Sequence, residues 1–173
     1  MFVPRGTGLV WGRQESWPVA QAIIPTFNTQ AYDIWMQVAS PKDLPQSVYM
    51  SPGGFHSFER RWALDEASKF HQAVGKSRVT QRIYRLNQQL KEGLAAMPQL
   101  VLRTPLSQDL SAGIVCFEVA GTTPGQVVAK LRRRGTVGCV TPYATQYVRL
   151  ALGLLNSSEE IETTLREIRN LRR

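Results

Sequence analysis

The chain has 173 residues, 43% hydrophobic and 20% charged; at this length folding removes roughly 70% of the unfolded surface from water, so a core can form without disulfides or a structural metal. Its 2 cysteines, Cys116 and Cys139, stand singly in apolar runs, which excludes CxxC and Cys/His zinc spacing and matches a reducing, cytoplasmic setting. No apolar run nears the roughly 18 residues of a membrane span, so no membrane partner is expected, and the net charge of +8 is the one unusual figure.

In chain order, the first 56 residues are rich in proline and offer one short strand, GLVWG at 8–12, and one short helix around 31–38. From 57 to 97 two helices are predicted. Phe58, Trp62, Ala63, Ala67, Phe70 and Val74 form the stripe of the first, with Gly75 as its stop; Val79, Ile83, Leu86, Leu90 and Leu94 form the stripe of the second, which Pro98 ends. After Pro98 the period changes. Residues 100–104 and 113–119 are β-branched and bounded by Pro105, Gly113 and Gly121, which is strand character. Thr123, Pro124 and Gln126 occupy the N-cap, first and third positions of a helix that presents Val127, Val128 and Leu131 and stops at Gly135. Residues 136–140 and 147–152 read as two more strands, and Ser157 with Glu160 forms a capping box ahead of Ile161, Leu165, Ile168 and Leu171. The order β-β-α-β-β-α over the last 75 residues predicts a small antiparallel sheet covered by helices on one face, an α+β domain.

The catalytic constellations are sparse. His56 and His71 have no adjoining Ser or Cys nucleophile motif, and no metal set is readable. Two glycine-rich stretches, 4–8 and 51–57, offer unobstructed backbone N–H groups of the kind an anion needs, and either could equally be a tight turn. Arg149 lies between Val148 and Leu150, so alternation turns it to the face opposite them; a planar guanidinium there is suited to bidentate capture of a carboxylate, or it is a half-exposed strand residue. Arg132, Arg133 and Arg134, and Arg166, Arg169, Arg172 and Arg173, gather at helix C-termini, where cations complement the dipole; without interleaved aromatic residues they predict solvated helix faces and no nucleic-acid partner. Cys139, inside a strand pattern, is expected to fill the core.

FVPRGTGLVWG at 2–12, the helix pair, LSAGIVCFEVAG at 110–121 and TPYATQYVRLALGLLNSSEEIETTLREIRNL at 141–171 together resemble the C-terminal part of the class V aminotransferase family. These are pyridoxal-phosphate (PLP) enzymes of fold type I, including cysteine desulfurases and isopenicillin-N-epimerase-like proteins. The resemblance implies an α/β chain: 1–56 as the tail of the PLP-binding large domain, 57–97 as connecting helices and 98–173 as the small domain. It implies that the PLP lysine lies just upstream of Met1, that Lys42 cannot replace it, that the chain alone holds no catalytic residue and is inactive, and that the complete protein is a homodimer acting on an amino acid. It assigns Arg149 to the substrate carboxylate. It places Arg5, Gly6 and Thr7 near the cofactor, and Gly53, Gly54 and Ser57 in a loop reaching the partner subunit's PLP phosphate, where family members usually carry Gly-Thr. Because desulfurases carry their persulfide cysteine on a mobile loop, the strand-borne Cys139 favours transamination, epimerisation or lyase chemistry. The charge leaves a second function open, a basic binding module for nucleic acid or an acidic partner.

Overall fold

A computed structural model describes residues 5–171 apart from 25, 41–43, 55 and 56. The expectations placed on Pro4, Lys42 and His56 lie outside the described residues. The chain divides into two compact units, 1–71 and 72–173.

The second unit holds four strands and three helices. Helix α4 (Lys76–Ala95) leads into β1 (Leu100–Leu102) and β2 (Ile114–Val119); α5 (Pro124–Arg133), β3 (Cys139–Val140), β4 (Val148–Ala151) and α6 (Ser158–Arg169) follow. The β-β-α-β-β-α order is the one read from the sequence. The sheet is antiparallel throughout, in the order β1-β2-β4-β3, so β2 and β4 are central.

The core is one face of this sheet under three helical stripes. Val115, Phe117 and Val119 alternate inward along β2, and Val148 and Leu150 do so along β4. Leu86, Leu90 and Leu94, four residues apart, meet them from α4, Val127 and Leu131 from α5, and Ile161, Leu165 and Ile168 from α6. Both predicted capping boxes form: Thr123 accepts from the Gln126 N–H at the start of α5, and Ser157 from the Glu160 N–H at the start of α6, with the Gln126 and Glu160 side chains reaching back to the cap N–H groups. Gly75, at φ 89°, separates the helix of residues 58–74 from α4, a conformation that costs other residues more. Lys91 is fully buried, its Nζ donating to the carbonyls of Pro105 and Leu106 (3.0 and 2.6 Å) and to Ser111 Oγ at 2.8 Å, which ties down the loop between β1 and β2.

The first unit contains a 3-10 turn at Gln14–Val19, α1 (Thr29–Trp35), the single turn α2 (Gln46–Tyr49) and most of α3 (Phe58–Val74). Asn28 caps α1, its Oδ1 accepting from Gln30 N–H at 2.9 Å. The strand expected at 8–12 is not formed: no ladder partner lies beside it among the described residues, and Leu9, Val10 and Trp11 are exposed, Trp11 at 83%. The apolar stripe of α3 is also uncovered. Of its members only Ala67 is buried, while Phe58 and Trp62 stack on each other at the surface. Among the described residues no helix is long and apolar enough to cross a membrane.

Candidate functional site

The face of the sheet turned away from the helices carries its thiol and charged side chains. Alternation places Cys116 and Glu118 of β2 and Arg149 of β4 on it, opposite the buried Val115, Phe117, Val148 and Leu150. Register then makes a row: Cys116 pairs with Arg149 across one side of β4, and Cys139 of β3 pairs with Arg149 across the other. The Arg149 Nε–H donates to Cys139 Sγ at 3.0 Å. That bond and the nearby Cys139 sulfur hold the guanidinium above the ordinary arginine range, with Cys116 and Tyr143 adding smaller contributions. Burial pushes the Cys116 thiol up, and Arg149 pulls it the other way.

One row away, Arg103 donates to Glu118 at 2.9 Å and lies over the Tyr147 ring, 5.5 Å from its centre. Its charge is therefore matched within the sheet. Arg149 differs: among the described residues no carboxylate lies within ion-pair distance of it, so this face keeps one cation without an anionic partner. A half-exposed guanidinium of this kind can take a carboxylate through two parallel N–H bonds.

Cys139 corrects the expectation of a core residue. It is in a strand as predicted, but β3 is a two-residue edge strand and Cys139 points to the open face, exposed, while Val140 turns toward the half-buried side. The hairpin is closed by Thr141 N–H donating to Tyr147 O, and counting back antiparallel from that pair sets 139 opposite 149.

The glycine-rich stretches belong to the first unit. Gly6 and Thr7 line an open cavity of about 800 Å³, and Gly53 and Gly54 line a neighbouring one of about 400 Å³; Ser51, Pro52, Phe58 and Arg61 belong to the walls of both. The structure thus brings the 5–8 and 51–54 segments to adjoining cavities and adds Arg61, an exposed cation that the sequence reading does not single out. Gly54, at φ 107°, has open space where a side chain would stand, so its backbone is accessible. Arg5 contributes its carbonyl, which accepts from Arg60 Nη1 at 3.0 Å. Ser57 is engaged elsewhere: its hydroxyl donates to Glu59 at 2.6 Å, which holds that carboxyl below the usual range. The basic groups at helix ends are in part internally used, Arg134 pairing with Glu167 at 3.1 Å and Lys130 donating to the Leu171 carbonyl. Among the described residues no cluster of His, Cys, Asp and Glu could hold a metal ion.

Comparison with solved structures gives the decisive similarity. A cysteine desulfurase from Thermococcus onnurineus NA1 superposes with a TM-score of 0.65 at 22% identity, over 71% of this chain and 33% of that one. Over that part the chain shares its fold with a third of that structure. The cystine C-S lyase C-DES, solved with its product cysteine persulfide, matches at TM-score 0.64 and 19% identity over 73% of this chain and 33% of that chain. The cysteine desulfurase CsdA from Escherichia coli matches at 0.62 and 14% identity, over 74% and 33%. This chain therefore spans about a third of the length of these structures. No family model and no curated sequence matches it.

Proposed function

We propose that the chain is the C-terminal portion of a PLP-dependent enzyme that acts on an amino acid, and that it supplies the substrate-carboxylate contact. The observation that carries this is Arg149, a guanidinium without a carboxylate partner among the described residues, on the open face of a sheet whose fold is shared with cysteine desulfurases. One of the similar structures, a C-DES variant, carries glycine covalently linked to PLP, which supports the cofactor assignment. Gly54 and Arg61 fit a phosphate in kind, an unobstructed backbone position beside a cation, and Gly53 lines the same cavity. Gly6 and Thr7 line the adjoining cavity, and the 51–54 loop is read as reaching the phosphate of a partner subunit in a homodimer. Ser57 has the weaker claim, its hydroxyl being held by a carboxylate. The two thiols match a cytoplasmic setting.

When bound, PLP supplies an electron sink for charge developing at the substrate Cα. What this chain adds is orientation. Arg149 holds the carboxylate by two N–H donors and so fixes rotation about the bond from Cα to the carboxyl carbon, an entropic and geometric contribution that requires no proton movement at Arg149. The open sheet face offers Glu118 as a carboxylate, but Arg103 neutralises it, leaving the field around Arg149 positive. Transamination, epimerisation and lyase chemistry can each use this grip on the carboxylate. In the PLP-loaded protein that contains this chain, Arg149→Ala raises the amino-acid KM by at least about tenfold, the scale of a lost charge-assisted pair, with the cofactor absorbance intact. An unchanged KM removes Arg149 from the site and the reading with it.

A further inference from the structure

Arginine 149 has five N–H groups, one on Nε and two on each terminal nitrogen. A carboxylate can dock side-on, using Nε and one terminal nitrogen, or end-on, using both terminal nitrogens. Here the side-on edge is taken. The Nε–H points at Cys139 Sγ, 3.0 Å away, and the same sulfur lies 3.9 Å from the Arg149 carbonyl, within reach of a weak S–H bond back to the strand. The thiol thus accepts from the side chain and donates to the main chain of one residue. Gly138 makes this approach possible, because a Cβ there would stand 3.0 Å from Leu150 Cδ2 and 3.3 Å from the Arg149 carbonyl oxygen, pushing β3 from β4. On the other flank Cys116 is half-buried and paired with Arg149 in register. The two cysteines cannot join: β4 lies between them, and two inter-strand steps of about 4.8 Å exceed the roughly 7 Å a disulfide can bridge.

We propose that Cys139 is a positioning residue for Arg149: its sulfur occupies Nε and leaves the two terminal nitrogens to take a carboxylate end-on. The proposal rests on the reading of Arg149 as the carboxylate ligand and adds the docking mode.

The test uses the protein with acetate as the carboxylate probe and chloride at matched ionic strength as control. The Arg149 Nε–H resonance is followed by nitrogen–proton correlation in wild type, Cys139→Ser and Cys139→Val. The serine hydroxyl keeps an acceptor at Nε; valine removes it on a strand that tolerates valine. Acetate shifts the Arg149 resonances in wild type and in Cys139→Ser with similar Kd, and binds Cys139→Val about three- to tenfold more weakly, the scale of one modest hydrogen bond. Equal Kd in all three proteins overturns the role of Cys139 and leaves the Arg149 reading standing. Acetate that moves no Arg149 resonance overturns the carboxylate site itself.

Discussion

Replacing Gly93 with alanine probes how closely α4 and α6 pack, and hence how the core beneath the open sheet face is held. Gly93 lies on the turn between Leu90 and Leu94, both fully buried. A Cβ built on it would stand 2.7 Å from Leu165 Cδ2 and 3.1 Å from Cγ, and nearer still to Cδ1. Ordinary carbon contacts lie at about 3.5–4.0 Å, so Leu165 must leave its rotamer or α6 must withdraw by most of an ångström. Leu165 is itself a core residue, 4% exposed, so turning it toward the open cavity that it and Gly93 line exposes apolar surface to water. Overpacking of this kind costs about 1–3 kcal/mol, and the gain in helix propensity from glycine to alanine returns about 1 kcal/mol. The net expectation is a loss of about 1 kcal/mol, read as a lower urea midpoint at unchanged slope. The informative measurement is the double-mutant cycle. Leu165→Ala alone costs about 2–5 kcal/mol by leaving a cavity, but the alanine at 93 partly fills that cavity, so Gly93→Ala in the Leu165→Ala background is neutral or stabilising, a coupling of at least about 1 kcal/mol. A Gly93→Ala variant stabilised by the full helix-propensity gain, or strict additivity in the cycle, would refute the close approach of these helices.

Two further outcomes follow from the loops and caps. Lys91→Met removes the ammonium that donates to Pro105 O, Leu106 O and Ser111 Oγ; the single Ser111 hydroxyl proton lies 2.8 Å from Ser107 O and 3.2 Å from Pro105 O as donor–acceptor distances, so Leu106 O loses its donor outright and Pro105 O keeps at most the longer of the two. The loss of hydrogen bonds from a charged donor costs about 1.5–3 kcal/mol, offset in part by removal of a buried charge that burial already holds below the ordinary lysine range; amide exchange over 105–111 should accelerate more than that of the core strands, and equal protection there would refute the tether. Glu160 is held below its usual 4.5 by the Ser157 N–H and the Asn156 amide; its folded value being depressed, the stabilisation is complete above 4.5 and is lost as pH falls through the folded value. The stability difference between wild type and Glu160→Gln, followed by urea midpoint from neutral pH downward, therefore shrinks below pH 4.5, and a difference that stays constant contradicts the cap.

What was legible in the sequence is what short-range physics dictates. Both capping boxes, the stop at Gly75, the stripe Leu86–Leu90–Leu94 and the inward alternation at Val148 and Leu150 depend on residues within a turn or two of each other, and all are present in the fold. The orientation of Arg149 came from the same alternation. Strand pairing is different, because it is set by partners distant in the chain. The segment at 8–12 has strand composition and no partner among the described residues, so it forms no strand, and the stripe of α3 has amphipathic spacing but leaves Trp62 70% exposed. Nothing local could reveal that Cys139 would face Arg149, because that contact is made by the register of an edge hairpin and by the space left at Gly138. Nor could it reveal that Arg103 would be neutralised by Glu118 while Arg149 meets no carboxylate among the described residues, since each depends on which strand lies beside which. The sequence by itself determined the helix caps, the helical stripes and the alternation of the central strands; the tertiary structure alone decided which segments pair and which charges meet, because ion pairs and thiol contacts form across strands that only the folded sheet brings within 3 Å.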